Sequence, residues 1–148
     1  MTRRGLLATP LAAWERDGLK AALVKAGLPA DDVGDARLLF WRFETTDIPV
    51  GFGGLEIHGS DALLRSLVTL PPLRQIGMGA AMVAVLETEA RALKCRAIYL
   101  LTASDANFFG RLGYAPCARS DVPEAIRASR QFAEFCAPTA AAMVKRIG

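Results

Sequence analysis

The chain has 148 residues, 52% hydrophobic and 22% charged, with a net charge of +3; this excludes a disordered polymer and is enough for one domain, residues 1–148, with a real core. No Lys/Arg run stands out and no window reaches eighteen apolar residues, which argues against nucleic-acid binding and against a membrane span. Three cysteines (Cys95, Cys117, Cys136) without a C-x-x-C pair, and a single histidine, His58, point to free thiols in a reducing, cytoplasmic compartment and to no metal site.

In chain order, Arg3 and Arg4 before Leu6 and Leu7 imitate a signal peptide, but Pro10 and Trp14-Glu15-Arg16-Asp17 cut the apolar stretch short. Leu11 to Ala26 reads as a first helix, with Leu19, Leu23 and Ala26 on one face and Gly27 as its stop signal. A short polar stretch, Asp31 to Asp35, precedes three strands: Leu38 to Phe43, Val50 to Ile57 and Ala62 to Leu70. Their short turns, Thr46–Pro49 and His58–Asp61, predict an antiparallel meander. Ala80 to Lys94 is a strong helix with Met82, Leu86 and Leu93 on one face and Glu87, Glu89 and Arg91 elsewhere. Ala97 to Thr102 is an apolar strand that a crossover makes parallel to its predecessor. A short helix (Ala106 to Leu112), a short strand (Tyr114 to Cys117), a helix from Pro123 to about Phe135 and a strand (Ala140 to Ile147) complete the order. The fold class is therefore α/β, a mixed, mostly antiparallel central sheet with helices on both faces.

The most informative segment is Leu70 to Ala80, L-P-P-L-R-Q-I-G-M-G-A, where an apolar strand ends and a helix begins. Backbone amides at a helix N-terminus lack partners and sit at the positive end of the dipole, which suits an anion such as a pyrophosphate. The loop has too few glycines for the dinucleotide fingerprint and no Gly-Lys-Ser/Thr for a P-loop. An ordinary strand-to-helix turn shares this composition. The spacing Arg74-x-x-Gly77-x-Gly79, however, resembles the acyl-coenzyme A loop of the GNAT acetyltransferases.

Two further segments carry the same resemblance: Phe108-Phe109 followed by Gly113-Tyr114, and Glu56 on the strand before Ala62–Leu67. The resemblance implies the GNAT (acyl-CoA N-acyltransferase) fold, in which the strands flanking the central helix splay apart around the cofactor arm, and acetyl-CoA as cosubstrate. It implies that the amides of Gln75, Ile76, Gly77, Met78, Gly79 and Ala80 hold the pyrophosphate with Arg74 adding charge. It also implies that the backbone of Leu67, Val68 and Thr69 pairs with pantetheine, that the Val68 amide polarises the thioester carbonyl, and that Phe108 and Phe109 flank the acyl arm. Many members place a tyrosine at the second aromatic as general acid; here it is Phe109, which has no proton to give. The C-terminal pattern Ile126-Arg127-x-Ser129-x-x-Phe132, with Phe135-Cys136-x-Pro138-Thr139-Ala140, is similar to small bacterial GNAT proteins of the arsenic-resistance and amino-acid N-acetyltransferase group.

Acetyl transfer needs a neutral amine, hence a proton acceptor. Glu56, in an otherwise apolar run beside the cofactor strand, is the candidate base; a solvent-facing carboxylate or a contact for the substrate ammonium are the other readings. His58 lies on the same strand face and is the alternative base or a surface turn residue. Arg65 interrupts an apolar strand and needs an anion if buried. A substrate carboxylate or an internal ion pair would serve, as would a solvent-facing position. Arg127 and Ser129 are further substrate-binding candidates, against solvated charge as the default. Together these readings predict an N-acetyltransferase acting on a small-molecule amine, an amino acid or an amino-acid-like toxicant. An acyl-CoA sensor without turnover and a protein or peptide N-acetyltransferase are the alternatives, and an exposed sheet edge allows a homodimer.

Overall fold

The computed structural model describes residues 6–28, 30–35, 37–46, 48–70, 77–130, 132 and 139–148. Seven strands form one sheet in the order β1-β2-β3-β4-β5-β7-β6, with β1 Leu6–Pro10, β2 Leu39–Thr45, β3 Ile48–His58, β4 Asp61–Thr69, β5 Ala97–Thr102, β6 Ala115–Cys117 and β7 Ala141–Arg146. Every neighbouring pair is antiparallel except β4 and β5, which run parallel. Among the described residues four α-helices cover the faces: α1 Asp17–Lys25, α2 Met78–Ala92, α3 Ala106–Arg111 and α4 Glu124–Arg127.

The period-2 pattern of the strands divides the core. Trp41, Leu64 and Ile98 point to α2 and α3, where they meet Met82, Leu86 and Phe109. Their chain neighbours turn to the opposite face: Phe40 packs with Leu19 and Leu23 of α1, while Leu63 and Tyr99 pack with Ile126 of α4. Helices on both faces of a mostly antiparallel sheet match the predicted class.

Several expectations need correction. The first described residues form a strand, β1, which pairs with β2 from Leu6↔Thr45 to Pro10↔Trp41. The isolated reading of this segment missed it, because an edge strand needs only one apolar inward residue, here Leu6. The first helix starts only at Asp17, after a 3-10 turn at Ala13–Glu15, and Gly27 ends it with φ 72°. α4 ends at Arg127 with Ala128 as its cap, and there the Ser129 hydroxyl donates to the Ile126 carbonyl at 2.6 Å and competes with the helical ladder; Arg130 is helical again, and the rest of the expected span falls largely outside the described residues. Glu87 of α2, off the Met82–Leu86 face, is nonetheless buried, for reasons given below.

The implied splay is present. β4 and β5 pair only at Asp61–Leu63 with Ala97–Tyr99 and then part. Beyond that point β4 carries a bulge: Phe52 pairs with Val68 and Gly54 with Arg65, so Ser66 and Leu67 oppose one residue, Gly53. A bulge bends its strand, and Ser66 takes a left-handed backbone with φ 57° to make it. The Ser66 hydroxyl also accepts from Arg65 Nε at 3.1 Å. Ser66→Val is therefore expected to cost roughly 2–5 kcal/mol, from backbone strain plus an orphaned guanidinium N–H. Ser66→Gly carries only the second cost, so urea unfolding should rank wild type above Ser66→Gly and Ser66→Gly above Ser66→Val; equal midpoints for the two variants would contradict the strain.

Candidate active site

The gap between β4 and β5 is a cavity of about 980 Å³ that passes through the sheet from α2 and α3 to the C-terminal end of α1. Leu67, Val68 and Thr69 line one side and Leu100, Leu101 and Thr102 the other. At one end stands the N-terminus of α2. Gly77 caps it with φ 77° and contributes no side-chain acceptor, and the first amides of a helix have no partners within the helix itself. Gly77, Gly79 and Ala80 line the cavity, whereas the Met78 side chain turns into the core. Arg74, Gln75 and Ile76 lie outside the described residues. A Cβ on Gly79 would stand 3.1 Å from Cζ of Phe108 and push on that ring, so glycine keeps the wall open here. Phe108 and Phe109 also line the cavity, their rings edge-to-face at 5.0 Å.

Glu56 and His58 project from β3 into a second, smaller cleft of about 390 Å³ on the α1 and α4 face. His58 Nε2 is 2.9 Å from Glu56 Oε1, as their two-residue spacing on one strand predicts. Behind Glu56 stands Arg65. Its two Nη atoms donate to the two oxygens of Asp32 at 2.6 Å each, and Nη1 lies 3.5 Å from Glu56 Oε2. Side-chain exposure rises along this chain, from 0% at Arg65 to 12% at Glu56 and 23% at His58. Arg65 also borders the large cavity, so the four groups form the wall between the two spaces.

The need of Arg65 for an anion is met inside the protein, by Asp32. That aspartate was missed: the polar stretch Asp31 to Asp35 offers three carboxylates, and only tertiary packing selects one. A second buried arginine builds the segment. Arg16 donates to the carbonyls of Val33, Asp35 and Leu38 at 3.0, 2.7 and 2.8 Å, and both arginines lie over the Phe40 ring. Burial pushes the Arg16 pKa down. At the mouth of the cleft, hydrogen bonds from Arg37 hold the Asp35 carboxyl down at about 2, a fixed negative charge at neutral pH.

The other substrate candidates divide. Ser129 lines the cleft, its hydroxyl donating to Ile126 and accepting from the Phe132 amide at 3.3 Å. Arg127 is exposed, donates from Nε to the Val122 carbonyl at 3.0 Å and borders neither space.

Neither described tyrosine lines the large cavity. Tyr99 packs in the core on the α4 side. The Tyr114 hydroxyl donates to Glu87 Oε2 at 3.0 Å, and Lys145 Nζ reaches both Glu87 oxygens at 3.1 Å. This explains the buried glutamate on α2. Burial first, then the Glu87 charge, pushes the Tyr114 hydroxyl well above the ordinary phenol range. Tyr114→Phe is expected to leave kcat unchanged while costing about 1–2 kcal/mol of stability. A kcat loss of about a hundredfold or more would instead mark a general acid.

Comparison with known proteins agrees with this geometry. The description "Acetyltransferase (GNAT) family" matches residues 7–114. No curated protein matches the chain. Among solved structures, N-acetylglutamate synthase from Neisseria gonorrhoeae, complexed with coenzyme A and L-arginine, superposes with a TM-score of 0.78 at 14% identity over 98% of this chain; the chain spans only 34% of that protein's length. A GNAT-family acetyltransferase from Staphylococcus aureus Mu50 gives 0.77 at 14% identity over 97% of this chain and 99% of its own. An aminoglycoside 6'-N-acetyltransferase complexed with coenzyme A gives 0.69 at 17% identity, over 96% and 97%. With the family pattern spanning most of the chain, the splayed strands and the glycine-capped helix at their gap, the chain belongs to the GNAT family of acetyltransferases.

Proposed function

We propose that this acetyltransferase moves the acetyl group of acetyl-CoA onto the amine of a small molecule, with an amino acid or an amino-acid-like toxicant of the arsenic-resistance type as its substrate class. The observation that carries the reading is the Glu56–His58 pair at 2.9 Å in a cleft that shares a wall with the splayed-strand cavity. The cleft suits a molecule of amino-acid or amino-sugar size. Its lining has carboxylates for an ammonium group, Glu56 among them, and Arg37 and Arg130 for an acidic one. Among the solved structures of the same fold, one holds coenzyme A with L-arginine and another is an aminoglycoside acetyltransferase.

In this reading the amides at the start of α2 take the pyrophosphate, with Arg74, Gln75 and Ile76 just before them, and the β4 backbone from Leu67 to Thr69 takes the pantetheine. The Val68 amide is the candidate donor to the thioester oxygen. Glu56, directly or through water, takes the proton of the attacking ammonium, and His58 passes it outward to solvent. The neutral amine forms the C–N bond, the C–S bond breaks, and the second proton that the nitrogen sheds on becoming an amide passes through water to the departing thiolate. A free thiol has a pKa of about 8.5, so it is a fair leaving group without a phenolic acid.

The test is thiol release from acetyl-CoA against a panel of amino acids, their phosphinate and arsonate analogues, peptides and amino sugars. Turnover on amino acids or their analogues is the expected result. Turnover confined to peptides or amino sugars would overturn the substrate class, and cofactor binding with no turnover on any amine would favour an acyl-CoA sensor.

A further inference from the structure

The wall between the two spaces holds more charge than a stable partition needs. Arg65 is wholly buried, and buried ion pairs contribute little net stability because desolvation opposes their attraction. One guanidinium here faces two carboxylates: Asp32, with two short hydrogen bonds, and Glu56, at 3.5 Å.

We propose that Arg65, anchored by Asp32, is a positioning residue of acetyl transfer, holding the Glu56 carboxylate in place between itself and His58. This rests on the reading of Glu56 as the proton acceptor. The fork of the guanidinium matters: its Nη atoms are committed to Asp32 and its Nε to Ser66, so Glu56 receives charge without a full hydrogen-bonded pair and stays available to His58. Asp32, far from β4 in sequence, thereby sets how strongly Arg65 pulls on Glu56. The charged or titratable groups facing Glu56 are Asp32, Asp35 and Arg37 from the segment before β2, His58 from β3, Arg65 from β4 and Arg130 from the α4 side.

His58 is the only histidine in the chain, so its imidazole resonance reports on the wall without assignment. The experiment follows the titration midpoint of His58 by NMR in the wild-type protein, in Asp32→Asn and in Asp32→Asn/Arg65→Gln; the double variant removes both charges of the buried ion pair. In Asp32→Asn, Arg65 turns to Glu56 and the midpoint should fall by about half a unit or more. In the double variant Glu56 faces His58 alone and the midpoint should rise by a similar amount. Both proteins should bind coenzyme A as wild type does and lose about tenfold or more in kcat. Unmoved midpoints, or shifts of the same sign, would overturn the proposal. Should Asp32→Asn not fold, a double variant without the rise overturns it alone. Glu56→Gln separates the two ideas. If it leaves turnover intact, the base assignment fails. If it abolishes turnover while the midpoints stay still, only the role of Arg65 fails.

Discussion

Glu56→Gln is expected to lower kcat/KM by about 10²- to 10⁴-fold, the range general-base catalysis supplies, with the affinity for coenzyme A unchanged. The amide has the shape of the carboxylate and can still accept from Arg65 and His58, so the wall keeps its packing. What it loses is the capacity to take a proton. The loss should appear in kcat rather than in the KM for the donor, since the donor cavity is lined by β4, β5 and the ends of three helices and not by Glu56. Turnover in the variant should recover as pH rises, because a growing share of the amine then arrives already neutral. A decrease of less than about tenfold, without that pH dependence, would assign Glu56 to binding the substrate ammonium instead. His58→Gln is expected to have a smaller effect, since water can carry a proton away from the more exposed end of the pair.

Gly51→Ala is expected to be the most damaging single methyl in the protein. A Cβ built on Gly51 would land on the Val68 carbonyl oxygen, with Thr69 Cα and Met82 Cε each only 3.1 Å away. The first two neighbours are backbone atoms of the adjacent strand, so no rotamer change relieves the clash. Overpacking usually costs about 1–3 kcal/mol, and a clash with strand backbone belongs at or above the top of that range. Against a typical total stability of about 5–15 kcal/mol, that is a large share. The same methyl pushes on Val68 and Thr69, which line the donor cavity, so whatever folded protein remains should bind coenzyme A more weakly. Urea unfolding and calorimetric binding measure the two effects. A variant melting within a few degrees of wild type would mean that β3 and β4 lie less tightly together than Gly51 implies.

Much of the molecule was legible because its signals are local. The apolar run Leu38–Phe43 and the short turns at Thr46–Pro49 and His58–Asp61 give the meander, and 3.6-residue periodicity gives α2. The Gly77-x-Gly79 spacing marks the helix start at the cavity. Glu56 and His58 share a face because a strand has period 2, and they meet at 2.9 Å. Even the demand of Arg65 for an anion follows from charge in an apolar strand. Some boundaries did not follow. β1 is a strand only because β2 offers it an edge, and α4 is cut short where a serine hydroxyl competes for the ladder.

The sequence by itself thus determined the class of fold, the position of the cofactor helix and the candidate base, since these depend on periodicity and on neighbours a few residues apart. Only the tertiary structure decided which carboxylate answers Arg65, why Glu87 is buried and where β4 leaves β5. Asp32 lies thirty-three residues before Arg65, and Lys145 fifty-eight after Glu87. Pairing over such separations depends on how the sheet brings distant segments together, and no local pattern encodes that choice.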